Sequence, residues 1–363
     1  MTACDKAQLR GAGGCPSICR VSPLRVPPSV PNAPPLGALL RRYAAGSPLS
    51  CRPVDEGLLN RGYRLCTTRG RFFLKHHFDP ETADPAAIVR QHRATRRLAD
   101  LGVPVAPPLV GRDGRTVAVV GGHAYALHPW IDGRHRHGGQ LTPGQCGRLG
   151  SLLGAVHAGL ERVMPAHART GPAPAESADP ADTFALIDDL LTRVRRHRPA
   201  DSFDALARHR LLERRALLER HADRRPPRGG AVGWVHGDFH PFNVLYRGDV
   251  PAAIVDWDRL GVRPRAEEAV RAAAIFFVRP TGTLDLRRVR SYARAYRRAS
   301  GATPSQLAAA VHRVWWERLN DFWMLRWHYE RGDTRADSQF PAAAALAVWW
   351  TREYDAVRGA FTG

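Results

Sequence analysis

A two-lobed α+β fold, with a small antiparallel β lobe carrying one helix and a larger, mainly helical lobe, is predicted by three features of this 363-residue sequence. From Ser50 to Leu127, short β-rich runs alternate with turn signals around a single helical stretch. From Thr142 onward apolar residues recur at helical spacing, first as Leu149, Leu152, Leu153, Val156 and Leu160 on one face. Between the two regimes, His128-Pro-Trp-Ile-Asp-Gly133 breaks both patterns and reads as a connector. The expected division is a disordered Pro/Gly-rich leader at 1–35, a β-rich lobe at 36–130 and a helical lobe at 131–363.

In order, Leu36–Ala45 suits a short helix, and Cys51–Val54, Gly62–Thr67 and Arg71–His76 suit three antiparallel strands. The turn Glu56-Gly-Leu-Leu-Asn-Arg-Gly62 has few glycines, so phosphate contact there would come from a hairpin tip around Asn60. Pro85–Leu101 reads as a helix with Asp84 as N-cap, Pro85 in the first turn and Gly102 as stop. Thr116–Val120 and His123–Leu127 form a hairpin across Gly121-Gly122. After the connector come helices at Thr142–Leu160, Phe184–Arg198 and Phe203–Arg224, the last two following a Pro/Ala-rich linker at Arg169–Pro180. Val244–Tyr246 and Ala252–Val255 flank Gly248-Asp249 as a second hairpin. Helices at Pro264–Val278, Leu284–Ser300, Thr303–Glu330 and Pro341–Val357 complete the chain.

Composition narrows the partners. Lys and Arg number 54 against 34 acidic residues, a net charge of +20, yet only Lys6 and Lys75 are lysines. That preference reads as a general bias toward arginine, and no continuous basic-aromatic stripe appears, so no nucleic-acid partner is expected. No run of 18 apolar residues exists and the N-terminus lacks a signal-peptide core, so neither membrane nor export is expected. The six cysteines are not spaced as a zinc site, and free thiols in a reducing cytoplasm are the expectation.

The chemistry concentrates in Trp234-Val-His-Gly-Asp-Phe-His-Pro-Phe-Asn-Val-Leu-Tyr246 and Ala252-Ala-Ile-Val-Asp-Trp-Asp258. The second hairpin would hold Asp238, Asn243 and Asp256 close together. Asp, Asn five residues on, then Asp after a strand is the order of a kinase catalytic loop, in which the first Asp orients the acceptor hydroxyl. One carboxylate and one amide oxygen suit hard Mg²⁺, which retains waters. His236-x-Asp238-x-His240 also alternates like a metallohydrolase strand, but no other dense His/Asp group in the sequence completes its ligand set. A structural loop with satisfied polar groups is the remaining alternative. Lys75 sits in Phe72-Phe-Leu-Lys-His-His77. On an edge strand it could be a solvated cation. In a chain that otherwise avoids lysine, it suggests a compact ammonium for phosphate oxygens, where arginine would impose a planar fork.

With strand lysine, helix, connector and loop in this order, the chain resembles the aminoglycoside phosphotransferase family. This is a small-molecule branch of the protein-kinase-like fold, with choline and homoserine kinases among its relatives. The likeness runs from about Asn60 to Phe277. His236-Gly-Asp-Phe-His-Pro-Phe-Asn243 matches the family's catalytic loop and Ile254-Val-Asp-Trp-Asp258 its metal segment. The resemblance implies ATP and Mg²⁺, with Asp238 as base, Asn243 and Asp256 as metal ligands, Asp258 supporting them and Lys75 on the phosphates. His236 would prop the loop, and His240 a structural role. Pro129 carbonyl and Ile131 amide would meet the adenine edge. One departure is Gln91: the family helix usually carries a glutamate that pairs with the lysine, and here a neutral amide would face Lys75. Glu81 or Asp84 could supply the carboxylate instead.

The resemblance implies an enzyme that phosphorylates a small-molecule hydroxyl, with an antibiotic or related natural product as the expected acceptor, for resistance or biosynthesis. A kinase of a primary metabolite and a nucleotide-binding pseudokinase are the alternatives. Trp315, Trp316, Leu319, Trp323 and Trp327 fall at helical spacing and read as core before they read as a substrate platform. Glu317, Asp321 and Glu330 could meet ammonium groups or form a solvated face. Residues 303–363 carry 7 basic and 7 acidic groups, so a strongly polycationic acceptor is not expected.

Overall fold

The computed structural model describes residues 34–54, 60–78, 84–165, 176–227, 229 and 232–363. Residues 1–33 of the leader, positions 55–59 of the first turn, Glu81 and positions 166–175 of the linker lie outside them. What is described is a two-lobed, protein-kinase-like α+β fold. Strands β1 (Pro48–Val54), β2 (Arg61–Thr67), β3 (Gly70–His77), β4 (Ala118–Val120) and β5 (His123–Pro129) form one antiparallel sheet in the order β1-β2-β3-β5-β4. Lys75 therefore stands on the central strand, between Gly62 and Ala126, and not on an edge.

Helix α1 (Leu36–Tyr43) covers one face of this sheet, where Leu39, Leu40 and Tyr43 join Tyr63, Leu65, Leu74, Tyr125 and Leu127 in a small core. Helix α2 (Pro85–Asp100) starts as its caps predict: Asp84 accepts hydrogen bonds from the Ala86 and Ala87 amides at 3.2 and 3.0 Å. After α2 the chain crosses to the second hairpin, where the Ile254 amide donates to the Pro104 carbonyl at 2.8 Å. That bond ties the sheet lobe to the segment bearing Asp256.

The helical lobe holds a short strand β6 (Arg134–His135), then α3 (Pro143–Val163), α4 (Pro180–Arg196) and α5 (Ser202–His221). Strand β7 (Val232–Val235) leads into the Asp238 loop, and β8 (Val244–Arg247) and β9 (Val250–Ile254) form the expected hairpin. Strand β10 (Gly261–Pro264) pairs back onto β7, and α6 (Arg265–Phe277) and α7 (Leu286–Ser300) follow. The expected single helix at Thr303–Glu330 is two: α8 (Pro304–Asn320) and α9 (Trp323–Arg331). No glycine or proline breaks it. Asn320 donates back to the Trp316 carbonyl and Asp321 accepts from the Trp323 amide, so local side-chain bonds replace helical ones. The last expected helix is likewise divided, into α10 (Phe340–Arg352) and α11 (Tyr354–Thr362).

Trp315, Trp316 and Trp350 are fully buried in the main core. Each indole removes about 150–250 Å² from water, roughly 4–6 kcal/mol before ordering costs. No helix among the described residues is long and apolar enough to cross a membrane. Cys51, Cys66 and Cys146 are free thiols.

Candidate active site

The loop after β7 turns on Gly237. Its φ of +89° and the Arg259 carbonyl against its α-carbon leave no room for a Cβ. His236 on one side is buried and locked into one tautomer: Nδ1 accepts the Asp238 amide at 3.2 Å, and Nε2 donates to the Val255 carbonyl at 3.0 Å. Burial lowers its pKa, so the ring is neutral, and it packs on Trp257 at 4.5 Å between centroids. A single side chain thus couples the loop of Asp238 to the strand end of Asp256. The Val255 amide adds a second link by donating to the Asn243 carbonyl at 3.0 Å.

Asn243 and His240 finish the loop. Asn243 Nδ2 donates to the Asp238 backbone carbonyl at 2.8 Å, which leaves the amide oxygen for another partner. His240 caps the Pro241–Asn243 turn by accepting the Phe242 amide, and its Nε2 lies 3.6 Å from Asp238 Oδ2. Arg259 Nε lies 3.7 Å from the same oxygen. Burial would raise the Asp238 pKa, but His240 and Arg259 outweigh it and hold the carboxyl below its usual range.

A second cluster forms across the lobes. Lys75 Nζ lies 2.8 Å from Asp256 Oδ1 and 2.7 Å from Asp258 Oδ2. Burial alone would lower the Lys75 pKa; the two carboxylates reverse the shift and keep the ammonium charged. The two aspartates differ. The Asp258 side chain is 11% exposed, and its Oδ2 accepts from both Lys75 and Asn60 Nδ2, the latter at 2.6 Å. Burial and the neighbouring Asp256 push its pKa up. Asp256 is 47% exposed on its side chain and is held low, since Lys75 overcomes the desolvation that would raise it. Its φ of 59° is left-handed, which costs a non-glycine residue roughly 1–3 kcal/mol and turns the carboxylate toward the lysine.

Gln91 corrects an expectation. The amide is buried on α2, but Nε2 donates to the Asp258 backbone carbonyl at 3.1 Å, whereas the carboxylates on Lys75 come from Asp256 and Asp258. Gln91 therefore braces the Asp256–Asp258 segment instead of facing the lysine. Asp84 is occupied as the α2 cap, and Glu81 lies outside the described residues. Gln91→Glu is expected to lower turnover. It exchanges a donor for a third carboxylate beside Asp256 and Asp258. Kinetics of Gln91→Glu against Gln91→Ala check this, and a faster Gln91→Glu enzyme would contradict it.

At the hinge, Pro129 ends β5 opposite Phe72, and the Trp130 amide donates to the Arg71 carbonyl at 3.1 Å. Asp132 receives both Arg71 nitrogens at 2.9 and 2.5 Å, which pins the connector carrying Ile131 to β3. Pro129 and Ile131 join neither hydrogen-bonded cluster among the described residues.

Sequence reasoning missed the anchor under the loop. Glu268 on α6 is buried, and its carboxylate accepts the His236 amide at 3.3 Å and the Gly237 amide. It also lies 2.6 Å from Nε2 of the fully buried His157, whose Nδ1 meets the Tyr296 hydroxyl at 3.0 Å. Burial would raise the Glu268 pKa; His157 and the loop amides hold it down. In the sequence, Glu267 and Glu268 sit in the first turn of a helix, where acidic side chains are ordinary. Farther along the helical lobe, Trp315, Trp316 and Leu319 are core, while Trp323 and Trp327 are half-buried and meet edge-to-face at 5.1 Å. Glu317 is spent on Arg271 at 2.9 and 2.5 Å, and Glu330 on Arg326 at 3.0 Å.

The sequence profile described as the phosphotransferase enzyme family matches residues 50–302. The chain belongs to this family. Homoserine kinase of Burkholderia multivorans is 28% identical over 318 residues, 80% of this chain and 86% of the relative. Homoserine kinase of Paraburkholderia phymatum is 27% identical over 317 residues, 79% and 87% of the two chains. Among solved structures, spectinomycin phosphotransferase in complex with ADP and spectinomycin matches with a TM-score of 0.60 at 13% identity, over 90% of this chain and 96% of that one. An amicoumacin kinase with AMP-PNP and Ca²⁺ gives 0.57 at 16%, over 87% and 92%. A microcompartment-associated aminopropanol kinase gives 0.56 at 17%, over 85% and 93%. At such identities these three attest the fold alone. As a member of the phosphotransferase family, the protein is a small-molecule kinase.

Proposed function

We propose that this phosphotransferase moves the γ-phosphoryl group of ATP to a hydroxyl of a small amino-alcohol or amino-acid-like metabolite, with Mg²⁺. The observation that carries the reading is the cross-lobe junction of Lys75 with Asp256 and Asp258, bonded through His236 to the loop of Asp238 and Asn243. The lobes we assign are 36–130 for nucleotide and 131–363 for catalytic loop and acceptor. Lys75 would bind phosphate oxygens, and Pro129 carbonyl and Ile131 amide the adenine edge. The donor set fits the metal: an exposed Asp256 carboxylate and an Asn243 oxygen freed by its own N–H₂ anchor are hard ligands. Mg²⁺, when bound, neutralises phosphate charge. Asp238, ionised, would accept the hydroxyl proton as the acceptor oxygen bonds to phosphorus and the bond to the β-phosphate oxygen breaks, releasing ADP.

The acceptor reading rests on charge. Glu317 and Glu330 are neutralised by arginines of the same chain, so they offer little to a polycation. In the helical lobe a small cavity is lined by Asp321, Arg210, Arg214 and Arg318. A carboxylate facing guanidinium groups complements a zwitterion, and the names of the 27–28% identical relatives agree with that chemistry. An antibiotic acceptor is the second reading, favoured by the fold likeness to the spectinomycin and amicoumacin enzymes. A panel of hydroxy amino acids, amino alcohols, spectinomycin-like and kanamycin-like compounds, read by a mass gain of about 80 daltons, separates them. Transfer is expected to the amino acid or amino alcohol arm. Micromolar KM for kanamycin-like compounds would overturn the charge argument.

A further inference from the structure

Away from the Asp238 loop, a second group of side chains is gathered by three helices of the helical lobe. His197 is the C-terminal cap residue of α4, Asp204 lies in the first turn of α5, and His328 lies on α9. One ring nitrogen of each histidine and one carboxylate oxygen of Asp204 lie within 4.8 Å of one another. We propose that His197, Asp204 and His328 bind a divalent transition metal of the zinc type.

Three observations support the assignment. His197 Nδ1 and Asp204 Oδ2 are 3.0 Å apart, close to the ~3.3 Å that two 2.0–2.1 Å bonds subtend at a tetrahedral ion. His328 gives its Nδ1 to Asp337 Oδ2 at 2.8 Å, the carboxylate–histidine arrangement that orients a metal-bound imidazole through its other nitrogen. The surroundings fix the donors: Phe203 stacks on His328 at 4.4 Å between centroids, and the Tyr329 hydroxyl holds Asp204 Oδ1 at 2.7 Å.

Imidazole and carboxylate together select zinc-type ions over Mg²⁺, which prefers all-oxygen sets. The site would cross-link the α4–α5 turn to α9, beside Phe340 and the helices that follow.

The test uses the full chain, stripped with a chelator and titrated with Zn²⁺ alone against a chromophoric competitor, beside the double variant His197→Ala/His328→Ala. The expected result is one tight equivalent present in the wild type and lost in the variant, with a Zn²⁺-dependent rise in Tm only in the wild type. Co²⁺ should give the intense visible bands of a tetrahedral site in the wild type alone. Should the double variant fail to fold by circular dichroism, His328→Gln, which keeps the ring's volume roughly, replaces it with the same expectation. Equal Zn²⁺ stoichiometry and equal Tm shifts in wild type and a folded variant would overturn the proposal and leave a hydrogen-bonded histidine pair.

Discussion

Asp238→Asn is expected to lower turnover roughly 10² to 10⁴-fold, the usual range for a general base, while the affinity for ATP stays within a few-fold. The asparagine keeps the shape, and the loop's own anchors do not use the Asp238 carboxylate. Asp238 contributes its amide to His236 and its carbonyl to Asn243, and both survive the substitution. What is lost is the proton acceptor. The pH dependence carries a sign. Because His240 and Arg259 keep the Asp238 carboxyl low against its burial, the base form persists as pH falls. Any acid limb in kcat/KM due to this group therefore lies below about pH 3.9, its ordinary value. Activity of the asparagine variant close to wild type would remove Asp238 from the chemistry.

Glu268→Ala is expected to cost the most stability of any substitution near the site. It strips the acceptor from two loop amides and leaves fully buried His157 facing a void. Breaking a buried, charged hydrogen-bonded pair from one side costs about 3–5 kcal/mol. For a chain of this size, that is a fall in Tm of roughly 4–7 °C. Turnover should fall too, since the loop of Asp238 hangs from that carboxylate. Glu268→Gln keeps one carbonyl oxygen and should be intermediate in both respects. Thermal unfolding and kcat of the two variants, measured together, check this, and an alanine variant within 1 °C of wild type would show that the loop is held elsewhere.

Those two residues also mark what a single sequence can reveal. That Asp238, Asn243 and Asp256 lie on one linked loop and hairpin, and Lys75 on a strand, was legible in short-range spacing and in a lysine that an arginine-rich chain retains. Glu268 was not, because its partners are backbone amides 31 and 32 residues away, which leave no pattern in side-chain identity. Gln91 was placed on the right helix, but its partner was misread. The carboxylates for Lys75 arrive from positions 181 and 183 residues further on, and no local register reveals that an amide will brace a carbonyl there instead. The break between α8 and α9 escaped for a similar reason: Asn320 and Asp321 end a helix through side-chain bonds that composition alone does not announce. Glu317 and Glu330 looked available for ammonium groups because arginine is everywhere in this chain, and only the fold pairs Arg271 and Arg326 with them.

The most direct test of the central reading follows the phosphoryl group itself. ATP labelled in the γ-phosphate is incubated with Mg²⁺, a hydroxy amino acid or amino alcohol acceptor, and either the wild type or Asp238→Asn, with ATP affinity measured for both. The account predicts label on the acceptor with stoichiometric ADP for the wild type, and nucleotide bound but label retained in ATP for the variant. Transfer at equal rates by both proteins, or nucleotide binding by the wild type with no transfer to any acceptor of the panel, would contradict it.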